Sequence, residues 1–342
     1  MRIAVDAFGG DNAPAEIVKG AIAAAKELDD EIILVGKENE INTILKSENV
    51  PDNLVSVRHA DEIIGTDEHP VAAIRAKKNS SLMVALKMVK DNEADAVVSA
   101  GNTGAYLAGA FRVLGRIKGI KRPALTTLMP NVTDSPGVIL DVGANADCKP
   151  FQLVQFAHMG SIYAEHILGI KNPRVALLNI GVEEAKGNAL TKETYALLKN
   201  EEKLNFIGNI ESREVLSGGA DVIVCDGFTG NVVIKLIEGT AGTLFSMLKQ
   251  AFYKNLGTKL AAAVLKPGLK VIKGKMDYSE YGGAPFLGID GVVFKAHGSS
   301  DAKTIKNAVS ATSAYLSAGI NEKIKSIVAT MQKEAAETED DE

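Results

Sequence analysis

ADAVVSAGNTGAYLAGAF, residues 94–111, decides how this chain folds. The apolar run Ala96-Val97-Val98 stops at Ser99, and Gly101-Asn102-Thr103-Gly104 leads directly into apolar residues at helical spacing. A short apolar strand feeding a helix through a glycine turn is the building unit of a parallel sheet covered on both faces. Amides at a helix start lack intrahelical partners and carry partial positive charge, so the turn suits an anion. An ordinary strand-to-helix turn capped by Asn or Thr would use the same residues.

The unit recurs along the sequence. Strand-like runs RIAVDA, EIILVG, LVSVRHA, DAVVSA, GVILDVGA, RVALLNIG, NFIGNI, ADVIVCDG and VVFKAHG alternate with helical segments that include 14–27, 82–92, 103–114, 150–168, 189–199 and 230–250. This alternation predicts an α/β fold, three-layer α/β/α with a mostly parallel sheet. One domain is expected over 1–332, with a protruding helical hairpin at about 242–275. An acidic, disordered tail is expected over 333–342.

The 342 residues are 46% hydrophobic and 24% charged, a balance that builds a substantial core. A net charge of −5 argues against a nucleic-acid surface over the whole molecule. Cys148 and Cys225 have neither metal-site nor CxxC spacing and suit a reducing cytoplasm. No signal-peptide core and no apolar run of membrane-spanning length is visible, so a soluble intracellular protein is expected.

Six loops just after strand-like runs combine Gly with Asp, Asn, Thr or Ser. Besides Gly101–Gly104 they are Asp6–Asn12 with Gly9, Gly10 and Asp11; Asp141–Asn145; Asn179–Asn188 with Gly181 and Lys186; Asp226–Asn231 with Thr229 and Gly230; and His297–Asp301 with Ser299. Strand C-termini in a parallel sheet share one rim, where α/β proteins bind ligands, so these loops are expected to converge there. The dinucleotide fingerprint is missing after the first strand, and neither a Walker pattern nor HExxH nor a Cys/His cluster occurs. Hence neither a cofactor nor a metal is expected, and a small anion held by amides and hydroxyls fits best. Arg75–Leu82, RAKKNSSL, offers Lys77 and Ser80 as further anion ligands, or simply a solvated basic face.

Within this set Gly101, Asn102, Thr103 and Gly104 are expected to hold the anion, aided by Thr229, Gly230 and Asn231. Asp226, like Asp6, Asp11 and Asp141, would orient a loop or relay a proton. Lys186 and His297 would neutralise charge.

Gly239–Met276 contains no Asp or Glu but seven Lys, with apolar residues at helical spacing. Two helices meeting at a turn, the second segment broken by Pro267-Gly268, would form an amphipathic hairpin exposing Leu256, Leu260, Val264 and Leu265. Such a face suits an anionic membrane or a second subunit. Arg112–Arg122 is a second acid-free island, and Arg112, Arg116, Lys121 and Arg122 would dock an acidic partner.

VDAFGGDNAP, RAKKNSS, VSAGNTGA, DVGANADCKP, LLNIGVEEAKGN, VCDGFTGNVVIK, KLAAAVLKP, YGGAPFLG and KAHGSSD together resemble the bacterial phosphate acyltransferase (PlsX) family of phospholipid synthesis, to about residue 330. Phe8 and Asn12 depart from the Met and His that the family usually carries, so no proton-transfer role is carried over to position 12. The resemblance implies a fold similar to isopropylmalate dehydrogenase and phosphotransacetylase, a homodimer, and peripheral attachment to the inner face of the plasma membrane. It also implies transfer of a long-chain acyl group from acyl-acyl-carrier-protein to inorganic phosphate, feeding a glycerol-3-phosphate acyltransferase. Phosphate ionises near neutral pH and a thiolate leaves readily, so such an enzyme mainly positions reactants and stabilises an oxyanion. A phosphotransacetylase-like enzyme using acyl-CoA, a dehydrogenase of similar fold, and a membrane-attached scaffold are the alternatives.

Overall fold

The computed structural model describes residues 1–51, 53–133, 135–276 and 282–340, with side chains described to 332. Tyr281, which opens the YGGAPFLG motif, and the last two residues of the acidic segment lie outside the described residues. The strands are β1 (Arg2–Asp6), β2 (Glu31–Gly36), β3 (Val55–His59), β4 (Ala96–Ser99), β5 (Ala124–Met129) and β6 (Gly137–Leu140). They continue with β7 (Arg174–Asn179), β8 (Asn205–Glu211), β9 (Val222–Val224), β10 (Ala284–Leu287) and β11 (Val292–Lys295). The helices begin with α1 (Ala15–Ala25), α2 (Glu38–Ser47), α3 (Pro70–Ala76), α4 (Ser81–Lys90), α5 (Thr103–Val113) and α6 (Pro150–Ile167). After them come α7 (Ala189–Lys199), α8 (Gly227–Phe252), α9 (Leu256–Met276), α10 (Ala302–Ala318) and α11 (Ile320–Asp340).

The strands form one sheet in the order β3-β2-β1-β4-β11-β10-β5-β6-β9-β7-β8. Side chains alternate across it, as a strand's period of two requires. From β1, Ile3 and Val5 pack with Ile17 and Val18 of α1 and Ile305 and Val309 of α10. Ala4 between them faces the opposite layer, with Met83 and Leu86 of α4 and Tyr106 of α5. The sheet therefore has an apolar layer on each face, which is the three-layer α/β/α arrangement.

The single-rim expectation fails. Strands β3, β2, β1, β4 and β11 run parallel, and so do β6, β9, β7 and β8. Between them β10 is antiparallel to both β11 and β5, and β5 is antiparallel to β6. The two parallel groups consequently point in opposite directions.

Register nevertheless brings their ends together. Lys295, the last residue of β11, pairs with Ala284. Leu140, the last of β6, pairs with Thr126. Because Phe286 pairs with Leu125, Ala284 lies level with Thr127, so the two strand ends are one rung apart. Three inter-strand spacings, about 14 Å, separate them across the sheet. The loops after β11 and β6 thus face each other over a floor made by β5 and β10.

Helices α8 and α9 form the expected hairpin, with two corrections. The turn falls at residues 253–255, where the Asn255 side chain accepts from the Thr258 amide at 3.0 Å. Helix α9 runs unbroken through Pro267. At the other end of the chain, α11 carries helical backbone to Asp340, into the segment expected to be a disordered tail. Among the described residues no helix is long and apolar enough to cross a membrane.

Candidate active site

Three loops of the first half-sheet are locked together around one buried carboxylate. Asp6, at the end of β1, accepts from Ser99 Oγ at 2.7 Å and from the Phe8 amide at 3.3 Å. Ser99 Oγ in turn accepts from the Gly101 amide at 3.0 Å. Burial raises the Asp6 pKa, and the hydroxyls of Ser81 and Ser99 oppose that rise. A Cβ on Gly9 would stand 2.5 Å from Asp6 Oδ2 and 2.7 Å from the Gly101 nitrogen, so only glycine lets these loops touch. The Asp11 amide donates to the Gly298 carbonyl at 2.8 Å, and Asn12 Nδ2 donates to the carbonyls of Ser299 and Ser300.

The second half-sheet repeats the device. Asp141, fully buried after β6, accepts from the amides of Leu125, Gly143, Ala144 and Asn145 and from Asn145 Nδ2, at 2.7–3.1 Å. Burial raises its pKa as well. Its carboxylate is fully engaged in shaping the loop. Gly227 and Gly230 allow the start of α8 to rest on this loop, since a Cβ on either would press into Asn145 or Asp141.

Between the halves lies a cavity of about 400 Å³. Its walls are Thr103 of α5, Gly143 after β6, Asn231 and Lys235 of α8, and Lys295, His297 and Gly298 at the end of β11, with Leu125, Thr127 and Ala284 beneath. Asn102 caps α5 by accepting from the Ala105 amide at 3.0 Å, and Tyr106 N bonds the Asn102 carbonyl. The amides of Thr103 and Gly104 keep no acceptor among the described residues, so the helix presents its positive end at the cavity edge.

Lys295 is the charge that the sequence did not reveal. It is 7% exposed, and Nζ donates to the carbonyls of Ala100 and Ala296. Burial lowers its pKa to about 8, against the pull of Asp6 and Asp11. An ammonium so placed is a fixed cation for an anionic guest. Lys235, one helical turn beyond Asn231, was also missed, although the i, i+4 spacing was available as a signal. His297 sits on the wall, where Nδ1 lies 2.8 Å from Ser299 Oγ and accepts from the Ser299 amide at 3.3 Å. That amide bond directs the proton of a neutral ring to Nε2.

Of the residues singled out beforehand, the structure brings Thr103, Asn231 and His297 to this cavity. Gly101, Asn102, Gly9, Gly10, Asp11 and Ser299 belong to the loops behind its wall. Asp226 instead caps α8, accepting from the Thr229 amide at 2.9 Å and Thr229 Oγ1 at 2.8 Å. The Gly230 amide is spent on the Asp226 carbonyl. Ser80 caps α4 through the Met83 amide, and Lys77 pairs with Glu68 at 2.5 Å. The loop of Gly181 and Lys186 does not line the cavity: it follows β7, two strands beyond β6. Leu256, Leu260, Val264 and Leu265 are exposed on α9.

Gly104 and Asn145 face a second cavity, together with Arg112 and Arg122. Arg116 instead donates to the Lys121 carbonyl and lies 5.2 Å from the Phe111 ring centroid, while the Lys121 amide bonds Gln155.

Neither cysteine is poised as a nucleophile. Burial raises Cys148 to about 12 and lifts Cys225 well above the ordinary thiol range.

Fold and cavity together define an α/β/α protein whose opposed half-sheets frame a cleft lined by Lys235, Lys295 and Glu238. The family model described as "Fatty acid synthesis protein" matches residues 1–323. A Bacillus cereus relative named "Phosphate acyltransferase" is 52% identical over 336 residues, covering 98% of this chain and 99% of its own. Another of that name, from Alkaliphilus oremlandii, is 55% identical over 90% of this chain and 92% of its own. The chain belongs to this phosphate acyltransferase family. Among solved structures, a phosphotransacetylase from Streptococcus pyogenes shares the fold, with a TM-score of 0.63 at 18% identity over 94% of each chain. A 4-hydroxythreonine-4-phosphate dehydrogenase from Klebsiella pneumoniae does so at 0.51 and 11% identity, covering 92% of this chain and 98% of its own.

Proposed function

We propose that the protein transfers a long-chain acyl group from acyl-acyl-carrier-protein to inorganic phosphate, giving acyl phosphate for phospholipid synthesis. One observation carries the reading: Lys295, Lys235 and the open start of α5 converge on a single cavity in a chain about half identical to proteins named for phosphate acyl transfer. Hydrogen phosphate attacks the thioester carbon, the C–S bond breaks, and the thiolate takes up the phosphate proton. The products are acyl phosphate and the free carrier thiol.

Lys295 and the Thr103 amide at the start of α5 hold the phosphate dianion beside the carbonyl. His297 and Asn231, both on the cavity wall, would donate to the oxyanion of the tetrahedral intermediate. Asp6 and Asp141 hold the loops and take no part in bond making.

The same proposal makes the protein a cytoplasmic homodimer attached peripherally to the inner face of the plasma membrane. The exposed apolar residues of α9 support the attachment, and Phe228, Val232 and Leu236, exposed at successive turns of α8, support a subunit contact. A glycerol-3-phosphate acyltransferase would consume the product. Acyl-CoA is the rival donor.

The test is purified protein with phosphate and either long-chain acyl-carrier protein or acyl-CoA. Carrier thioester should disappear only when phosphate is present, with an equal yield of acyl phosphate. Phosphate-independent loss, or faster turnover of acyl-CoA, would reject the reading.

A further inference from the structure

Beyond the reaction cavity, a second one of about 340 Å³ opens on the other side of the same two loops. Thr103 faces the first cavity and Gly104 the second, while Val142 and Gly143 face the first and Ala144 and Asn145 the second. The ridge between them is therefore about one residue thick, about 4 Å.

Three arginines from three segments meet at this second cavity: Arg75 at the end of α3, Arg112 at the end of α5, and Arg122 before β5. None of them pairs with a carboxylate among the described residues, although surface cations elsewhere in the chain do so repeatedly. All three arginines are exposed, so water screens them from one another, and together they offer a positive rim to an anionic guest. Planar guanidinium forks match phosphate oxygens in pairs. Apart from Asn145 the remaining wall is apolar, with Val71, Leu107 and Phe111. The occupant is therefore an anion at one end and largely neutral and apolar behind it.

We propose that this cavity binds the phosphoester and neck of the pantetheine arm that carries the acyl thioester, the arm crossing the ridge to present its sulfur to the reaction cavity. The inference rests on the acyl-transfer reading above and assigns the donor's arm to a defined place. Pantetheine's gem-dimethyl neck suits the Val71–Leu107–Phe111 wall, and its phosphoester suits the arginines.

The test is a binding measurement that needs no turnover. Isothermal titration would compare 4′-phosphopantetheine with pantetheine, on the wild-type chain and on the Arg112→Gln/Arg122→Gln double variant. The wild type should prefer the phosphorylated arm by about tenfold, and the double variant should lose that preference. Equal affinity in the wild type, or a preference that survives in the double variant, would overturn the assignment. Arg75→Gln, on a separate helix, gives the same readout should the double variant fold poorly. Titrating holo-carrier protein and coenzyme A in parallel identifies the source of the arm, by which of them loses more affinity in the variant. A wild type that turns over acyl-carrier protein without the preference sinks this inference alone. A preference without phosphate-dependent turnover sinks the reaction and leaves the cavity assigned.

Discussion

Lys295 stands at the end of an apolar strand, where a lysine ordinarily reaches solvent. Here the loops after β1 and β4 close over it, and burial lowers its pKa to about 8. The sign of the effect separates two roles. The unfolded lysine titrates near 10.4, so between pH about 8 and about 10 the unfolded chain holds the extra proton. Stability from this group alone therefore rises with pH across that window. Phosphate affinity, which needs the ammonium, falls across the same window. Lys295→Met should remove the alkaline loss of phosphate affinity and weaken phosphate binding at pH 7 by about tenfold or more, read as the KM for phosphate. An unchanged KM would make Lys295 a structural residue only.

Elements are positioned by close approach at a few glycines. Gly230 lets α8 settle on the Asp141 carbonyl, and its replacement by Ala forces helix and loop apart. Gly230→Ala should cost about 2 kcal/mol of stability, measured by denaturant unfolding, and should also reduce turnover because Asn231 and Lys235 ride on the same helix. Normal stability would mean that the loop yields without cost.

The hairpin projects its apolar residues outward: Leu260 is 66% exposed and Val264 80%. Leu260→Glu/Val264→Glu should lower partition onto anionic vesicles by about tenfold or more in a flotation assay, leaving the fold intact. Persistent flotation would return the hairpin to a purely protein-contacting role.

For the whole molecule, the stripe on α8 leads to a solution measurement. Leu236→Glu should convert a dimer to monomers in sedimentation velocity, since a charge buried in an apolar contact lacks compensation. A wild type that sediments as a monomer would contradict the proposed subunit contact.

Much of the architecture was legible because β1, β4, β6, β7 and β9 are continuous apolar runs ending in glycine turns. The inversion was not legible. Its two strands, ALTTLM with paired threonines and APFL after two glycines, carry no clear strand pattern, and pairing direction leaves no mark in a single segment. Reading the sheet as uniformly parallel therefore put all the loops on one rim, when they belong to two opposed groups. Thr103, Asn231 and His297 were found because glycine-rich turns announce helix starts and strand ends. Lys235 and Lys295 escaped because their placement depends on which distant segments cover them.

The central claim is that this chain cradles an anion from solution and supplies no nucleophile of its own. Ser299, hydrogen-bonded to His297, is the group whose geometry challenges it. A single turnover of long-chain acyl-carrier thioester, with enzyme in excess and phosphate omitted, tests the point directly. No carrier thiol should be released until phosphate is added. A burst of thiol matching the enzyme concentration without phosphate, lost in Ser299→Ala, would contradict it.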